Sequence, residues 1–175
     1  EQDPGAAIAA RTARLAVLPA AAQFDLDEAA AVVANPHVES IAVVGTADLY
    51  ALAMPDGPAA LGDAARIATG PEGSASHRLG QMVARVLEPR PTLVAAPRAT
   101  AAALAAQVIS GAADAALVVA SRGRRDIDAV LRAGAVRLVD GASWWQGAAR
   151  LDTPFLREAV IPDTAHTALD RPVQT

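Results

Sequence analysis

The sequence predicts an α/β fold, three layers deep, with a mainly parallel sheet between helices. Three observations carry that expectation. Apolar runs of strand length alternate with longer runs of helical period from about residue 65 to residue 139. Glycines follow the helical runs where a helix would close, at Gly111 and Gly134. Hydrophobic residues make up 53 % of the 175-residue chain while aromatics make up 3 %, so the core must be built from Val, Leu, Ile and closely packed Ala.

The elements follow in order. Asp3-Pro4 offers a helix N-cap with Pro at the first helical position. "RLAVLP" (14–19) reads as a short strand stopped by Pro19, and "FDLDEAAAVVANP" (24–36) as a short helix stopped at Asn35-Pro36. "VESIAVVGTADLYALAM" contains two strand-like runs around Gly45-Thr46. "PDGPAALGDA" (55–64) is turn-rich and reads as an internal linker. Then come strand "ARIATG", helix "SASHRLGQMVARVL", strand "PTLVAAP" and helix "ATAAALAAQVISG". Strand "DAALVVAS", helix "RRDIDAVLRAG" and strand "AVRLVD" complete the series. Such an alternation argues for parallel strands joined by helical crossovers, with ligands received at the strands' carboxyl ends. The organisation expected is an N-terminal segment of uncertain role (1–37) followed by one α/β domain (38–175).

Composition excludes several function classes. The net charge is −4, all 15 cationic residues are arginine, and no basic patch is interleaved with aromatics, so nucleic acid is not an expected partner. Without cysteine there is no disulfide, thiol nucleophile or Cys-type zinc site. His37, His77 and His166 lack ligand-type spacing, so no metal or other cofactor is expected. No pair of carboxylates can be assigned acid and base roles, and no catalytic residue is expected. No apolar run is long enough to span a bilayer.

The loop "TGPEGSAS" (69–76) stands between a strand and a helix. The first turn of a helix has unpaired N–H groups and partial positive charge, which suits a carboxylate or phosphate. Gly73 lets the backbone come close to a ligand, and Ser74 and Ser76 can add hydrogen bonds. The same serines serve equally well as a plain N-cap and turn. Arg78, within a turn, is a candidate clamp for an acidic ligand or an ordinary surface cation. The loop lacks the Lys of a P-loop and matches neither G-x-G-x-x-G nor G-x-S-x-G. Ser121 and Arg122 end a strand on the expected ligand face, whereas Arg124 and Arg125 read as an exposed cluster balanced by Asp126 and Asp128. Trp144-Trp145 reads as a loop anchor or a pocket wall.

Four stretches in order resemble the solute-binding receptors of TAXI-type TRAP transporters, and more broadly the type II periplasmic binding-protein fold. They are "IAVVGTADLYALAM", "LGDAARIATGPEGSASHRLGQMVARVL", "ISGAADAALVVAS" and "VRLVDG…TPFLREAVIPDTAH". The likeness covers roughly residues 38 to 175. It implies a non-catalytic receptor lobe, periplasmic or otherwise extracytoplasmic and possibly membrane-anchored. The implied ligand is a small anionic solute such as glutamate or a dicarboxylate, and the implied partners are membrane transporter subunits or a tethering membrane protein. It puts Gly73, Ser74, Ala75 and Ser76 in the ligand-contacting loop and Tyr50 on the cleft side near the hinge, and it makes Asp114 structural. Two positions depart from the pattern: Ala75 stands where the family favours Gly, and His166 where it favours Tyr. The short stretch before residue 38 implies a partial or shortened receptor. Two alternatives stay open: a ligand-free sensory or interaction domain of a membrane-tethered protein, and a phosphate-handling enzyme.

Overall fold

The structure, a computed structural model, describes residues 47–153 and 156–175. These belong to one compact unit, Thr46–Thr175. The expected cap at Asp3, the strand at 14–19, the helix at 24–36 and the first apolar run before Gly45 lie outside the described residues.

The strands and helices are β1 (Asp48–Ala53), β2 (Arg66–Thr69), α1 (Ala75–Val86), β3 (Thr92–Ala95), α2 (Ala101–Ile109) and β4 (Ala115–Ala120). They continue with α3 (Arg125–Arg132), β5 (Arg137–Val139), α4 (Ala148–Asp152), β6 (Val160–Ile161) and β7 (Val173–Gln174). Five strands form one sheet in the order β3-β2-β4-β1-β5, and β6 pairs with β7 apart from it. The alternation read from residue 65 onward is thus present element by element.

The expectation of a mainly parallel sheet is corrected: the sheet is mixed. β2 runs parallel to β3 and β4, but β1 lies antiparallel between β4 and β5. The cause is the link that follows β1. Ala53 faces Ala115, the first residue of β4, so β1 ends at the sheet edge where the parallel strands begin. From there residues 54–65 pass the far end of β5, where Ala60 bridges Asp140 and the Leu61 N–H donates to the Asp140 carbonyl at 2.7 Å, and reach Arg66 by turns and one 3-10 turn at Leu61–Asp63. This link carries no α-helix, whereas a crossover between parallel neighbours usually does.

Alternate strand residues feed two core clusters, as a period of two dictates. Tyr50, Leu52, Ala116, Val118 and Leu138 join Leu104 and Val108 of α2, Ile127 and Leu131 of α3, and Ile161. Ala51, Ala53, Ala115, Leu117 and Val139 join Leu79 and Val83 of α1, together with Leu61 and Trp144. The three longer helices bury one face at helical spacing: α1 buries Ser76, Leu79, Gly80, Val83 and Ala84, α2 buries Ala101, Leu104, Ala105 and Val108, and α3 buries Ile127 and Leu131. Alanine on the strands lets the helices come close. At Gly80 of α1 a Cβ would lie 2.6 Å from Thr69 Cγ2, so the side-chain-free position is what seats α1 on β2.

Candidate functional site

After β2 the chain moves outward to β3, then returns to place β4 on β2's other flank. The strand order therefore reverses between β2 and β4. In open α/β sheets the crevice outside the carboxyl ends at such a reversal is where ligands bind. Two loops flank it: residues 70–74 after β2, and residues 121–124 after β4. β1 starts at the same edge, because Asp48 faces Ala120.

The first loop is fixed by short-range chemistry. Ser74 is the N-cap of α1, and its hydroxyl accepts from the His77 N–H at 3.3 Å. The buried Ser76 hydroxyl accepts from the Gly70 N–H at 2.9 Å and lies 3.4 Å from the Ser74 hydroxyl. A Cβ on Gly70 would stand 2.6 Å from Ser74 Oγ, 2.7 Å from Ala99 Cβ and 2.9 Å from Ser76 Oγ, so no side chain fits there. Gly73 adopts φ +80°, and nothing lies within 4 Å of where its Cβ would be. The loop is thus tightly packed at Gly70 and open at Gly73. The N–H groups of Ala75 and Ser76, in the first turn of α1, take part in no hydrogen bond among the described residues. Arg78 Nε donates to the Gly73 carbonyl at 3.1 Å, which brings its guanidinium to the loop's open side.

The second loop is charged but internally paired. Arg122 makes a two-pronged ion pair with Asp48, at 2.9 and 3.0 Å, and the Asp48 partner raises its pKa further. Arg124 does the same with Asp126, at 2.8 Å on both prongs. Ser121 is exposed at the end of β4, on the expected edge.

Tyr50 is buried beneath the second loop. Its ring is fully buried in the core, and its hydroxyl sits 3.3 Å from Nε2 of the equally buried His166. Burial pushes the Tyr50 hydroxyl's pKa up, Asp48 adds to this, and the Gly123 N–H partly opposes it. The expected site residues therefore divide. Gly73, Ser74, Ala75, Ser76 and Arg78 come together on one loop, Ser121 flanks the same edge, and the buried Tyr50 hydroxyl lies under the second loop by the Gly123 N–H. Asp114 binds Arg66 through side chain and backbone (2.7 and 2.8 Å), which fastens the start of β2 to the turn before β4. The Arg66 guanidinium, followed by the Arg66 N–H, holds the Asp114 carboxyl below its ordinary range against the opposing cost of burial.

Sequence reasoning missed two participants. Gly70 was quoted within the loop, but its role depends on Ala99, which only the fold brings near. His77, noted from sequence only for lacking ligand-type spacing, shares hydrogen bonds with the buried Thr69 hydroxyl at 3.1 Å and with Gln81 at 3.2 Å. The tryptophans anchor a loop. Trp144 Nε1 donates to the Gly141 carbonyl and Trp145 Nε1 to the Thr153 hydroxyl, both at 2.8 Å, with the Arg150 guanidinium over the Trp145 ring.

Two depressions open away from the sheet reversal. One, about 430 Å³, is lined by Asp140, Trp145, Arg150 and Glu158 among others; the second, about 440 Å³, lies between Leu131, Val136 and Arg171. Among the described residues no cluster of three or more His, Asp or Glu side chains is placed to hold a metal ion, and no helix is long and apolar enough to cross a membrane. The chain matches no model of a known protein family and no curated protein sequence.

Proposed function

We propose that residues 47–175 are a solute-receptor lobe of the TAXI, type II binding-protein kind, three-layered, and that the loop 70–76 receives a small carboxylate. The observation that carries this is the position of that loop. It opens a helix N-terminus, with unpaired Ala75 and Ser76 N–H groups, beside the strand-order reversal. Gly73 leaves the approach open, and Arg78 adds a cation at its margin. The ligand is held by backbone donors, the two serine hydroxyls shape the loop, and the role is capture without chemistry. The partners are a glutamate-like or dicarboxylate solute and membrane transporter subunits outside the cytoplasm.

A specific observation favours a second reading, a ligand-free interaction domain: the Ser74 and Ser76 hydroxyls already serve the loop itself, and Tyr50 is in the core.

Calorimetric titration with glutamate, 2-oxoglutarate, succinate and phosphate separates the two. Ala75→Glu is the matched variant, because a carboxylate in the first helical turn favours α1 while repelling an anion from its N–H groups. The receptor reading expects saturable carboxylate binding, weakened at least about tenfold (~1.4 kcal/mol) in the variant. Absence of binding to all four at millimolar concentration would leave the interaction domain.

A further inference from the structure

The segment from Val160 to Thr175 packs on the core through Ala165, Leu169 and Val173. Ile161 enters the core, Gly141 N–H donates to the Gln174 carbonyl, and the Thr175 hydroxyl donates to the Leu49 carbonyl. Midway, His166 is buried against Tyr50, edge to face with 5.5 Å between ring centroids. The next residue, Thr167, gives its N–H and hydroxyl to Asp128 Oδ1, each at 3.0 Å. The same carboxylate oxygen lies 3.9 Å from His166 Nδ1, a buried nitrogen with no hydrogen-bond partner.

The geometry selects a protonation state. With Tyr50 O–H donating to Nε2, the imidazole is neutral and its proton sits on Nδ1, facing Asp128. The opposite tautomer would point the Nδ1 lone pair at a carboxylate. A second proton would sit on Nε2, remove the acceptor of the Tyr50 O–H and leave that donor unsatisfied in the core, a costly state. The charged groups around the ring are Asp48 on β1, paired with Arg122, and Asp128 on α3, paired with Arg132. Neither aspartate reaches hydrogen-bond distance of the ring.

We propose that His166 is the pin of a proton-sensitive clasp, which holds the Val160–Thr175 segment on the sheet when neutral and loosens it on acidification. The proposal does not depend on the receptor reading. Burial lowers the His166 pKa from its ordinary 6.5, opposed by Asp128 and then by Asp48. For a histidine with a lowered folded pKa, the stabilisation is complete above the ordinary value. It is lost as pH falls below about 6.5 toward the folded pKa.

The test is an imidazole titration by NMR on the full chain, with amide protection factors, corrected for intrinsic exchange, from pH 8 to pH 5. His166 is expected to stay in the neutral Nδ1–H form below pH 6.5. Protection at Ile161 and Thr175 is expected to fall by up to about tenfold per pH unit, the limit for one proton, while Val118 in β4 holds. His166→Gln should remove that pH dependence, while His37→Gln and His77→Gln should keep it. Persistence of the dependence in His166→Gln, or its loss in His77→Gln, would overturn the clasp. Protonation of His166 at or above the ordinary value with unchanged protection would also overturn it, and that reading needs only the unaltered chain.

Discussion

The two loops at the carboxyl edge of the sheet solve opposite problems. The loop after β2, Gly70 to Ser74, carries one charged residue, Glu72, and leads to the Ala75 and Ser76 N–H groups, which have no partner among the described residues. The loop after β4 carries Arg122 and Arg124, with Arg125 opening α3, yet Arg122 and Arg124 each hold a two-pronged carboxylate partner. Formal charge is therefore a poor guide to where an anion would rest. A guanidinium already matched by a carboxylate offers a small ligand little field, whereas unpaired N–H groups at a helix start offer fixed donors that need no rearrangement. From sequence the glycine-serine loop is the candidate anion site and Arg124 and Arg125 a cluster balanced by Asp126 and Asp128; the Arg124–Asp126 pair is present.

The sharpest way to break this contrast is Gly70→Ala. The new methyl would meet atoms at 2.6, 2.7 and 2.9 Å, so the loop must shift. A loss of about 3 kcal/mol by urea denaturation, at the upper end of what overpacking costs, is expected, together with loss of any anion binding. Ser76→Ala comes next. It leaves the buried Gly70 N–H unsatisfied and should cost about 2 kcal/mol by the same measurement. If anion affinity survives that loss, the donors are the backbone groups and the serine is a scaffold. Arg122→Gln is the smallest. Its side chain is about half exposed (48 %), so the thermal midpoint should move little and the shift should vanish in high salt. Anion affinity should stay as it was; a marked drop would transfer the site to the second loop.

What the sequence made legible was whatever is decided locally. The helices start at Ser74 and Thr100, both of which cap as their residue types suggest, because each capping hydroxyl and the N–H that donates to it are three residues apart. The strand and helix periods from Arg66 to Val139 were readable for the same reason. The direction of β1 was not, since nothing within "DLYALA" distinguishes pairing with β4 and β5 from pairing with a neighbour. Asp48 became the partner of Arg122 only through that register. Tyr50 illustrates the same limit: its inward face follows from strand alternation, but its contact with His166 joins residues from the two ends of the unit. The short elements α4, β6 and β7 carry too few residues for any period to show.

The reversed strand β1 also sets an order of events during synthesis. It is the first described element to leave the ribosome, yet both its neighbours, β4 and β5, are translated after β2, α1, β3, α2 and, for β5, α3. While those elements emerge, β2 and β3 can pair across a single helical crossover, but "DLYALA" lacks both of its sheet neighbours, β4 and β5. Its apolar residues must wait until Ala115–Ala120 has appeared. Non-local pairings of this kind slow folding and lengthen the exposure of a strand to wrong partners. The nascent chain is therefore most vulnerable before β4 emerges, and β1, once inserted between β4 and β5, closes the sheet.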